Sequence, residues 1–216
     1  MKIGIIGGNG KTGAKIYAEA MSRGHQATAI VRSAQKAQAV LGEDANTLEK
    51  DAFDLTRDDL TAFDVVVDAF GLPQGFPKPY LHLDLVTQLV ARLRESSTRL
   101  VVIIGAASLK MPDGRKLIDH LLAMLDHESW IGTPLNQTHE LDFLQMIDNV
   151  SWVAASPSRE FVPGDATGYV LGTDSVLFDA DGRSHLTTGN MAVAILDEIE
   201  SPEHEHGRFT ARDKEV

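Results

Sequence analysis

The sequence predicts an α/β protein in which helices cover both faces of a doubly wound parallel sheet. Three observations lead to this prediction. Short apolar runs of strand length alternate with segments whose apolar residues have helical spacing. The runs lack polar alternation, which is typical of parallel strands buried on both faces, and the first run ends in a glycine-rich turn. The length of 216 residues suits one large domain, so we expect a single domain over residues 1–216.

The apolar runs predict seven strands. They lie at Lys2–Gly7, Gln26–Arg32, Asn46–Lys50, Asp64–Phe70, Arg99–Ile104, Ser151–Ala155 and Arg208–Arg212. Between them, Lys11–Arg23 and Tyr80–Arg94 carry apolar residues at helical spacing and are predicted to be crossover helices. Gly24 is suited to end the first helix, and Ser33 is suited to cap the start of the second.

The second half of the chain departs from this alternation. Residues 110–149 are interrupted by glycine and proline, so we expect irregular helices there. Asp179–Gly182 has the composition of a hairpin turn, and a helix is predicted at Asn190–Glu200. We therefore expect residues 110–187 to contribute most of a small C-terminal lobe on the substrate side.

Composition excludes several classes of partner. The formal net charge of −11 repels the phosphates of nucleic acids and of membrane surfaces, so we expect neither as a partner. No stretch approaches the roughly 18 apolar residues of a membrane span, and we expect no export signal. The absence of cysteine excludes disulfides, thiolate nucleophiles and cysteine-ligated zinc. We expect a cytoplasmic protein, and a homodimer is one oligomeric state that the sequence leaves open.

The strongest motif is a glycine-rich turn between the first predicted strand and the first predicted helix. It comprises Gly7, Gly8, Asn9, Gly10, Lys11, Thr12 and Gly13. Glycines let the backbone approach a diphosphate, whose charge is met by free N–H groups at the positive end of the helix. Because the context is strand, turn and helix, we predict a Rossmann-like sheet that binds a dinucleotide. Lys11 either faces the phosphates or extends into solvent.

The residue that follows the second strand predicts which dinucleotide is bound. An NAD site would carry an acidic residue there to accept from the ribose 2′-hydroxyl, but this chain has Arg32. A guanidinium can pair with a 2′-phosphate, so we predict NADP(H) as the preferred cofactor, with NAD(H) as the alternative. Arg32 could instead stack on the adenine or face solvent. Asp51, Ala52 and Phe53 are candidates for contact with the adenine, with ordinary turn residues as the alternative.

These residues resemble the atypical short-chain dehydrogenase/reductase superfamily. The resemblance is to its NmrA-like and NADH-flavin reductase branch, which is related to biliverdin reductase B. It extends over nearly the whole chain and is carried by several motifs. They are the glycine loop, Val31-Arg32, Asp51–Asp54, Val101–Leu109, Ser156-Pro157, Thr167–Asp174, Ala192–Glu200 and Arg208–Thr210. The resemblance implies a nicotinamide cofactor and an oxidoreductase, with flavin as one expected acceptor.

The residues also restrict the chemistry. The usual acid of this superfamily is a Tyr with a Lys four residues later. None of the three tyrosines, Tyr17, Tyr80 and Tyr169, has a lysine at that offset. We therefore expect hydride transfer to a flavin, quinone or similar flat acceptor, because that reaction mainly requires the protein to hold two flat rings together.

Three loops are expected to form the substrate side of the site, because ligands of open α/β sheets lie beyond the carboxyl ends of the strands. Their cofactor-binding candidates are Phe70, Gly71, Leu72 and Pro73 after the fourth strand, Ala106 and Ala107 after the fifth, and Ser156 and Pro157 after the sixth. Ser108 is the catalytic candidate and is expected to hydrogen-bond to the substrate or the nicotinamide. The alternative is a serine that only caps a turn.

Other chemistry-bearing residues favour a structural interpretation. We expect surface or partly packed histidines at His120, His127 and His139, and we expect no metal at His204 and His206. Four aromatic residues either wall a pocket or pack in the core: Phe76, Trp130, Phe143 and Phe161.

Two alternatives to a flavin or quinone reductase remain open at this point. The first is a non-catalytic NADP(H) sensor of the NmrA type that passes the redox state to a protein partner. The second is an epimerase or reductase of a small carbonyl or sugar-like substrate, against which the missing Tyr–Lys pair counts.

Overall fold

A mostly parallel sheet runs through the centre of the protein. The computed structural model describes residues 1–215, and all statements below concern that part of the chain. Its strands are β1 (Lys2–Ile6), β2 (Gln26–Val31), β3 (Thr47–Glu49), β4 (Val65–Asp68), β5 (Arg99–Ile103), β6 (Trp152–Ser156), β7 (Glu160–Val162), β8 (Tyr169–Gly172), β9 (His185–Thr187) and β10 (Gly207–Asp213). Its α-helices are α1 (Lys11–Ser22), α2 (Ala34–Leu41), α3 (Arg57–Thr61), α4 (Leu81–Leu93), α5 (Leu117–Leu122), α6 (Gly132–Leu144) and α7 (Thr188–Glu200).

The strand order places a ligand crevice in the middle of the sheet. The order is β3-β2-β1-β4-β5-β6-β10-β8, and the first seven of these strands are parallel, whereas β8 pairs antiparallel with β10 at the edge. Strands β7 and β9 form a separate parallel pair. The chain winds outward in opposite directions from β1 and β4, and ligands bind at the carboxyl ends of strands on either side of such a switch point. The Rossmann-like, doubly wound fold class predicted from the sequence is confirmed.

Each face of the sheet has its own hydrophobic core, because successive side chains of a strand point to opposite faces. Ile3 and Ile5 of β1 lie in the core that α1 and α7 cover, whereas Ile6 lies in the core covered by α4 and α6. Val66 alternates in the same way with its neighbours Val65 and Val67 in β4. Because both faces of the sheet are covered, side chains on both sides of each central strand are buried, and the strand sequences are therefore continuous apolar runs.

The predicted elements agree with the structure most closely where the signals are local. The predicted strands and helices are all present, with ends that differ by a few residues. Ser33 caps α2 by accepting a hydrogen bond from the backbone N–H of Lys36, and Gly24 follows α1 with a φ of 80°. The irregular helices expected over residues 110–149 are found in α5 and in the 3-10 turn at His127–Ser129, whereas α6 is a regular helix of 13 residues.

The predicted hairpin at Asp179–Gly182 is wrong in one respect. A turn does form, because the N–H of Gly182 donates to the carbonyl of Asp179. One backbone hydrogen bond closes the turn, from the N–H of Asp179 to the carbonyl of Arg183, but the strands on either side do not pair with each other, since β8 hydrogen-bonds to β10 and β9 to β7. The turn is held locally instead, by the guanidinium of Arg183 against the carboxylate of Asp179.

Within residues 1–215, every helix is too short or too polar to cross a lipid bilayer.

Candidate functional site

The glycine-rich segment joins β1 directly to α1, and side chains are excluded from it by close backbone contacts. Gly7 has a φ of 70°, in the left-handed region that favours glycine. A Cβ on Gly8 would lie 2.7 Å from the Cβ of Ala29 on the neighbouring strand. A Cβ on Gly13 would collide with the carbonyl oxygen of Gly7. Glycine at these positions is therefore required by the turn itself.

The start of α1 presents unpaired backbone donors. Gly10 precedes the helix, and no side chain caps it. The N–H groups of Lys11, Thr12 and Gly13 donate to no acceptor within residues 1–215. Free N–H groups and the positive end of the helix dipole suit an anion. These residues therefore fit the diphosphate of a dinucleotide.

A cavity of about 330 Å³ opens at the carboxyl ends of the central strands. It begins at Thr12 in the first turn of α1 and extends across the ends of β4, β5 and β6. Its lining residues are Thr12, Ala69, Phe70, Gly71, Ile103, Ile104, Gly105, Ala106, Gln137, Pro157, Ser158, Arg159 and Phe161. The three loops that the strand order nominates thus converge on one space.

A second cavity of about 400 Å³ adjoins the first. Gly105, Ala106, Gln137 and Arg159 line both cavities, so the two lie side by side, and we refer to them together as the cleft. The second cavity is otherwise lined by Gln74, Ala107, Leu117, Leu121, Trp130, Pro134, Glu160, Gly182, Arg183 and Ser184. Most of these residues lie within 110–187, whereas the phosphate-loop end of the cleft belongs to the first cavity.

Comparison with known proteins decides the family. The sequence model of the NAD(P)H-binding family matches residues 7–202. The chain belongs to the NAD(P)H-binding family. This agrees with the resemblance inferred from the motifs, and it supports a nicotinamide cofactor.

Individual relatives are similar over the whole chain. The YwnB protein of Bacillus subtilis is 42% identical over 215 residues, and the match covers 97% of each chain. The structure of a Lactobacillus casei protein has a TM-score of 0.94 at 45% identity, with 100% of both chains covered. A structure from Streptococcus pneumoniae, described as a “putative NADH-flavin reductase”, has a TM-score of 0.88 at 32% identity and covers 99% of this chain and 100% of its own.

In this NAD(P)H-binding protein, Arg32 lies where the ribose of the adenosine is expected. It follows β2 directly and is exposed, and its guanidinium makes no hydrogen bond or ion pair with residues 1–215. Because Ser33 caps α2 and Glu49 accepts a hydrogen bond of 2.7 Å from the N–H of Ala34, the backbone around Arg32 is held in place. The side chain is therefore free to meet a ligand.

The adenine candidates and the loop after β4 are brought together by aromatic contacts. Asp51 accepts a hydrogen bond from the N–H of Phe53 and begins a short 3-10 turn. The ring of Phe53 packs edge-on against Phe70, with 6.0 Å between the centroids. Phe70 and Gly71 line the first cavity, whereas Leu72 and Pro73, the other candidates of this loop, line neither cavity.

Ser108 is turned away from the cleft. It is buried in a 3-10 turn, and its hydroxyl accepts a hydrogen bond of 2.7 Å from Nη1 of Arg208. Neither cavity is lined by Ser108, although Ala106 and Ala107 immediately before it line the cleft. A catalytic role for Ser108 therefore stays a prediction, and the contact with Arg208 is one the sequence did not indicate.

The loop after β6 divides its residues between the cleft and the core. Pro157 lines the first cavity, whereas Ser156 is fully buried and its hydroxyl has no partner within residues 1–215. Ser156 is in register with Thr210 of β10, whose hydroxyl is equally without a partner. Lys11 extends into solvent from the start of α1.

Two buried carboxylic acids lie behind the cleft, and sequence reasoning missed them. Asp68 ends β4, and one of its oxygens accepts from the N–H of Phe70. Burial raises the pKa of Asp68 to about 7. Burial, and the nearby charge of Asp68, raise the pKa of Glu140 on α6 well above its usual range. One oxygen of Glu140 has no hydrogen-bond partner within residues 1–215.

A buried histidine accompanies these acids. His82 of α4 packs edge-on against the ring of Phe70, with 5.3 Å between the centroids. Burial lowers the pKa of His82 to about 4, so the ring is neutral at neutral pH. Its Nε2 has no partner within residues 1–215. In the sequence, the buried position of His82 was indicated only by its being a polar residue among the apolar residues of one helical face.

The histidines and aromatic residues singled out in the sequence have separate environments. The ring of His204 contacts the buried carboxylate of Glu198 at 2.8 Å. Trp130 and Phe161 line the cleft, Phe143 packs against the core under α4 and α6, and Phe76 does neither. Within residues 1–215, no cluster of His, Asp or Glu is arranged to hold a metal ion.

Proposed function

We propose that this protein is an NADPH-dependent reductase that transfers hydride to a flavin, a quinone or a similar flat acceptor. The observation that carries the proposal is the pair of adjoining cavities, of which the first begins beside the unpaired N–H groups of α1 and the second is lined mostly by residues of the 110–187 region. A cofactor whose diphosphate rests on α1 would extend along the first cavity. The second cavity then leaves space for an acceptor beside the nicotinamide.

The lining of the cleft suits flat rings. Phe70, Ile103, Pro157 and Phe161 give the first cavity apolar walls, and Leu117, Leu121 and Trp130 do so for the second. Such walls position two rings against each other and exclude water, which is the main requirement for hydride transfer between them. The bound cofactor supplies the hydride. We further propose that residues 110–187 form most of the acceptor side of a single domain.

The proposed reaction does not require the tyrosine acid that this chain lacks. Reduction of a flavin ring takes up one hydride from the cofactor and one proton, and water supplies the proton. Tyr169, the tyrosine nearest the sheet edge, instead donates a short hydrogen bond to Asp197 on α7, and burial raises its pKa. Its phenol is therefore unsuited to protonate a substrate.

The proposal is tested by mixing the purified protein with NADPH and FMN, riboflavin or a simple naphthoquinone. We expect protein-dependent oxidation of NADPH with at least one of these acceptors, at a rate proportional to protein concentration. Tight binding of NADPH without turnover on any acceptor would overturn the proposal and favour the NADP(H) sensor.

A further inference from the structure

One charged side chain stands apart from all others in the cleft. Arg159 lines both cavities, and it is the only charged residue among those of residues 1–215 that line the first. The residue is exposed, and its guanidinium forms no ion pair or hydrogen bond within that part of the chain, although acidic residues outnumber basic ones by 31 to 20. An unpaired cation is thus held where the two cavities meet.

The other charges of the cleft do not replace it. Arg183 lines only the second cavity, and its guanidinium is occupied by Asp179 at 3.0 Å and Asp181 at 3.1 Å. Glu160, which also lines the second cavity, contributes a negative charge there. An anion would therefore be bound most favourably beside Arg159 in the first cavity, away from the negative charge of Glu160.

The backbone that carries Arg159 is fixed by the surrounding strands. The N–H of Arg159 donates to the hydroxyl of Ser184, and the N–H of Glu160 donates to the carbonyl of the same serine. On the other side, the buried hydroxyl of Ser158 donates a hydrogen bond of 2.8 Å to the carbonyl of Ala211. The backbone that positions Arg159 is therefore held in place, which reduces the cost of ordering this residue around a ligand.

The position of Arg159 separates it from the sites of the cofactor phosphates. The diphosphate is expected on the N–H groups at the start of α1, and the 2′-phosphate is expected at Arg32. Arg159 also lines the second cavity, to which no residue of the glycine loop contributes. A guanidinium binds a phosphate or carboxylate through two parallel hydrogen bonds, and this local charge offsets the repulsion that a net charge of −11 exerts on an anion.

We propose that Arg159 binds an anionic group, a phosphate or a carboxylate, carried by the acceptor. The proposal rests on the reductase function proposed above and assigns its substrate class: flat acceptors with an attached anion are preferred over neutral ones with the same ring.

The test compares FMN with riboflavin, because the two share one ring system and differ by a single phosphate. For wild type, Arg159→Gln and Arg159→Lys, we would measure kcat/KM for both acceptors and the Kd of NADPH. We expect Arg159→Gln to reduce the FMN-to-riboflavin ratio of kcat/KM about 10-fold or more, with Arg159→Lys retaining part of it. The Kd of NADPH should stay unchanged.

Arg94→Gln is the matched control, because it removes the same charge from an exposed arginine that lines neither cavity. It should leave the FMN-to-riboflavin ratio unchanged. A naphthoquinone carboxylate and its neutral parent form a second pair of acceptors. Comparing the two pairs shows whether the site prefers a carboxylate or a phosphate. A substrate preference that is the same in wild type and Arg159→Gln for both pairs would overturn the proposal.

A binding measurement separates this proposal from the reductase function. FMN and riboflavin are titrated by flavin fluorescence into each variant saturated with oxidised NADP, so that no turnover is needed. Weaker binding of FMN alone in Arg159→Gln supports the anion site even if the protein oxidises no NADPH. A rise in the Kd of NADPH with no change in either flavin would make Arg159 a cofactor ligand and overturn the proposal.

Discussion

The guanidinium of Arg208 donates a hydrogen bond of 2.7 Å to the hydroxyl of Ser108. This contact ties the turn after β5 to the last strand of the sheet. The same guanidinium donates to the carboxylate of Asp174 at 2.6 Å, so Arg208 also holds the segment that follows β8. Nε of Arg208 has no hydrogen-bond partner within residues 1–215. The contacts with Ser108 and Asp174 are therefore the side-chain hydrogen bonds that offset the cost of burying this guanidinium.

Replacing Ser108 with Ala should destabilise the protein by about 1–3 kcal/mol, because one N–H of a buried guanidinium loses its acceptor. Denaturant unfolding measures this change. If Ser108 also hydrogen-bonds to the substrate or the nicotinamide, kcat falls in addition at a temperature where the variant is fully folded. Asp174→Asn is the control, since it weakens the other contact of Arg208 without touching Ser108. Equal turnover of wild type and Ser108→Ala would show that the hydroxyl is dispensable for the reaction.

Replacing Arg32 with Ala should reduce the preference for NADPH over NADH. A charge-assisted contact with a 2′-phosphate contributes about 1.5–3 kcal/mol, which corresponds to roughly a 10- to 150-fold difference in affinity. Calorimetric titration with both cofactors measures the ratio of the two Kd values. Arg94→Ala removes the same charge at the end of α4, away from the cleft, and should leave the ratio as it is in wild type. A ratio unaffected by Arg32→Ala would remove the predicted role.

Gly71→Ala tests whether NADPH packs against the loop after β4. A Cβ added at Gly71 meets no protein atom within 4 Å, and its φ is not in the left-handed region, so the free energy of unfolding should change by no more than about 0.5 kcal/mol. Gly71 lines the first cavity, however, and a methyl group there would press on a cofactor packed against the backbone. We expect the Kd of NADPH to rise about 5-fold or more, since overpacking costs about 1–3 kcal/mol.

The control for this variant is Gly207→Ala at the start of β10, where a Cβ would come no closer than 3.7 Å to another atom. Gly207 lines neither cavity, so this variant should bind NADPH as wild type does. NADPH affinity that is the same in Gly71→Ala and wild type would place the cofactor away from the loop after β4.

Glu140→Gln should change how stability depends on pH. Burial and the charge of Asp68 raise the pKa of Glu140, so the folded protein retains a proton that the unfolded chain releases as the pH rises. The stabilisation from this proton is complete below the unfolded pKa of about 4.3 and is lost as the pH rises through the higher folded pKa. Glutamine has no such proton to lose, so the variant should gain stability relative to wild type as the pH increases.

Thermal unfolding of both proteins at about pH 5 and about pH 8 measures this difference. His82 is present in both proteins, so its own titration largely cancels in the comparison. Asp142→Asn removes a carboxylate from the same helix at an exposed position and should retain the pH dependence of wild type. A parallel dependence of Tm on pH in Glu140→Gln and wild type would contradict the expected proton uptake.

Local patterns in the sequence were sufficient for the main elements of the fold. Ser33 and Gly24 act through backbone atoms within a few positions of themselves, so their conformations follow from neighbouring residues. The strands β7, β8 and β9 were not predicted, because they are three or four residues long and are stabilised by partners distant in the chain.

The contacts of the Asn190 side chain also could not be predicted from the sequence, because they are made to distant segments. It looks like an ordinary polar residue at the start of α7, yet it is fully buried, and its amide oxygen accepts from the N–H groups of Thr167 and Gly168. Its amide nitrogen donates to Asp213 and Thr167. These contacts join three separate segments, and no spacing in the sequence predicts them.

The amino-acid sequence alone determined the sheet class, the glycine turn at the start of α1 and the position of Arg32 after β2. Each of these depends on strand and helix periodicity or on backbone freedom over a short stretch. The tertiary structure decided that Ser108 faces Arg208, that Glu140 lies near Asp68 and that Arg159 stands unpaired between two cavities. Those relationships arise only when segments far apart in the chain pack together, because burial and charge pairing depend on which groups become neighbours in space.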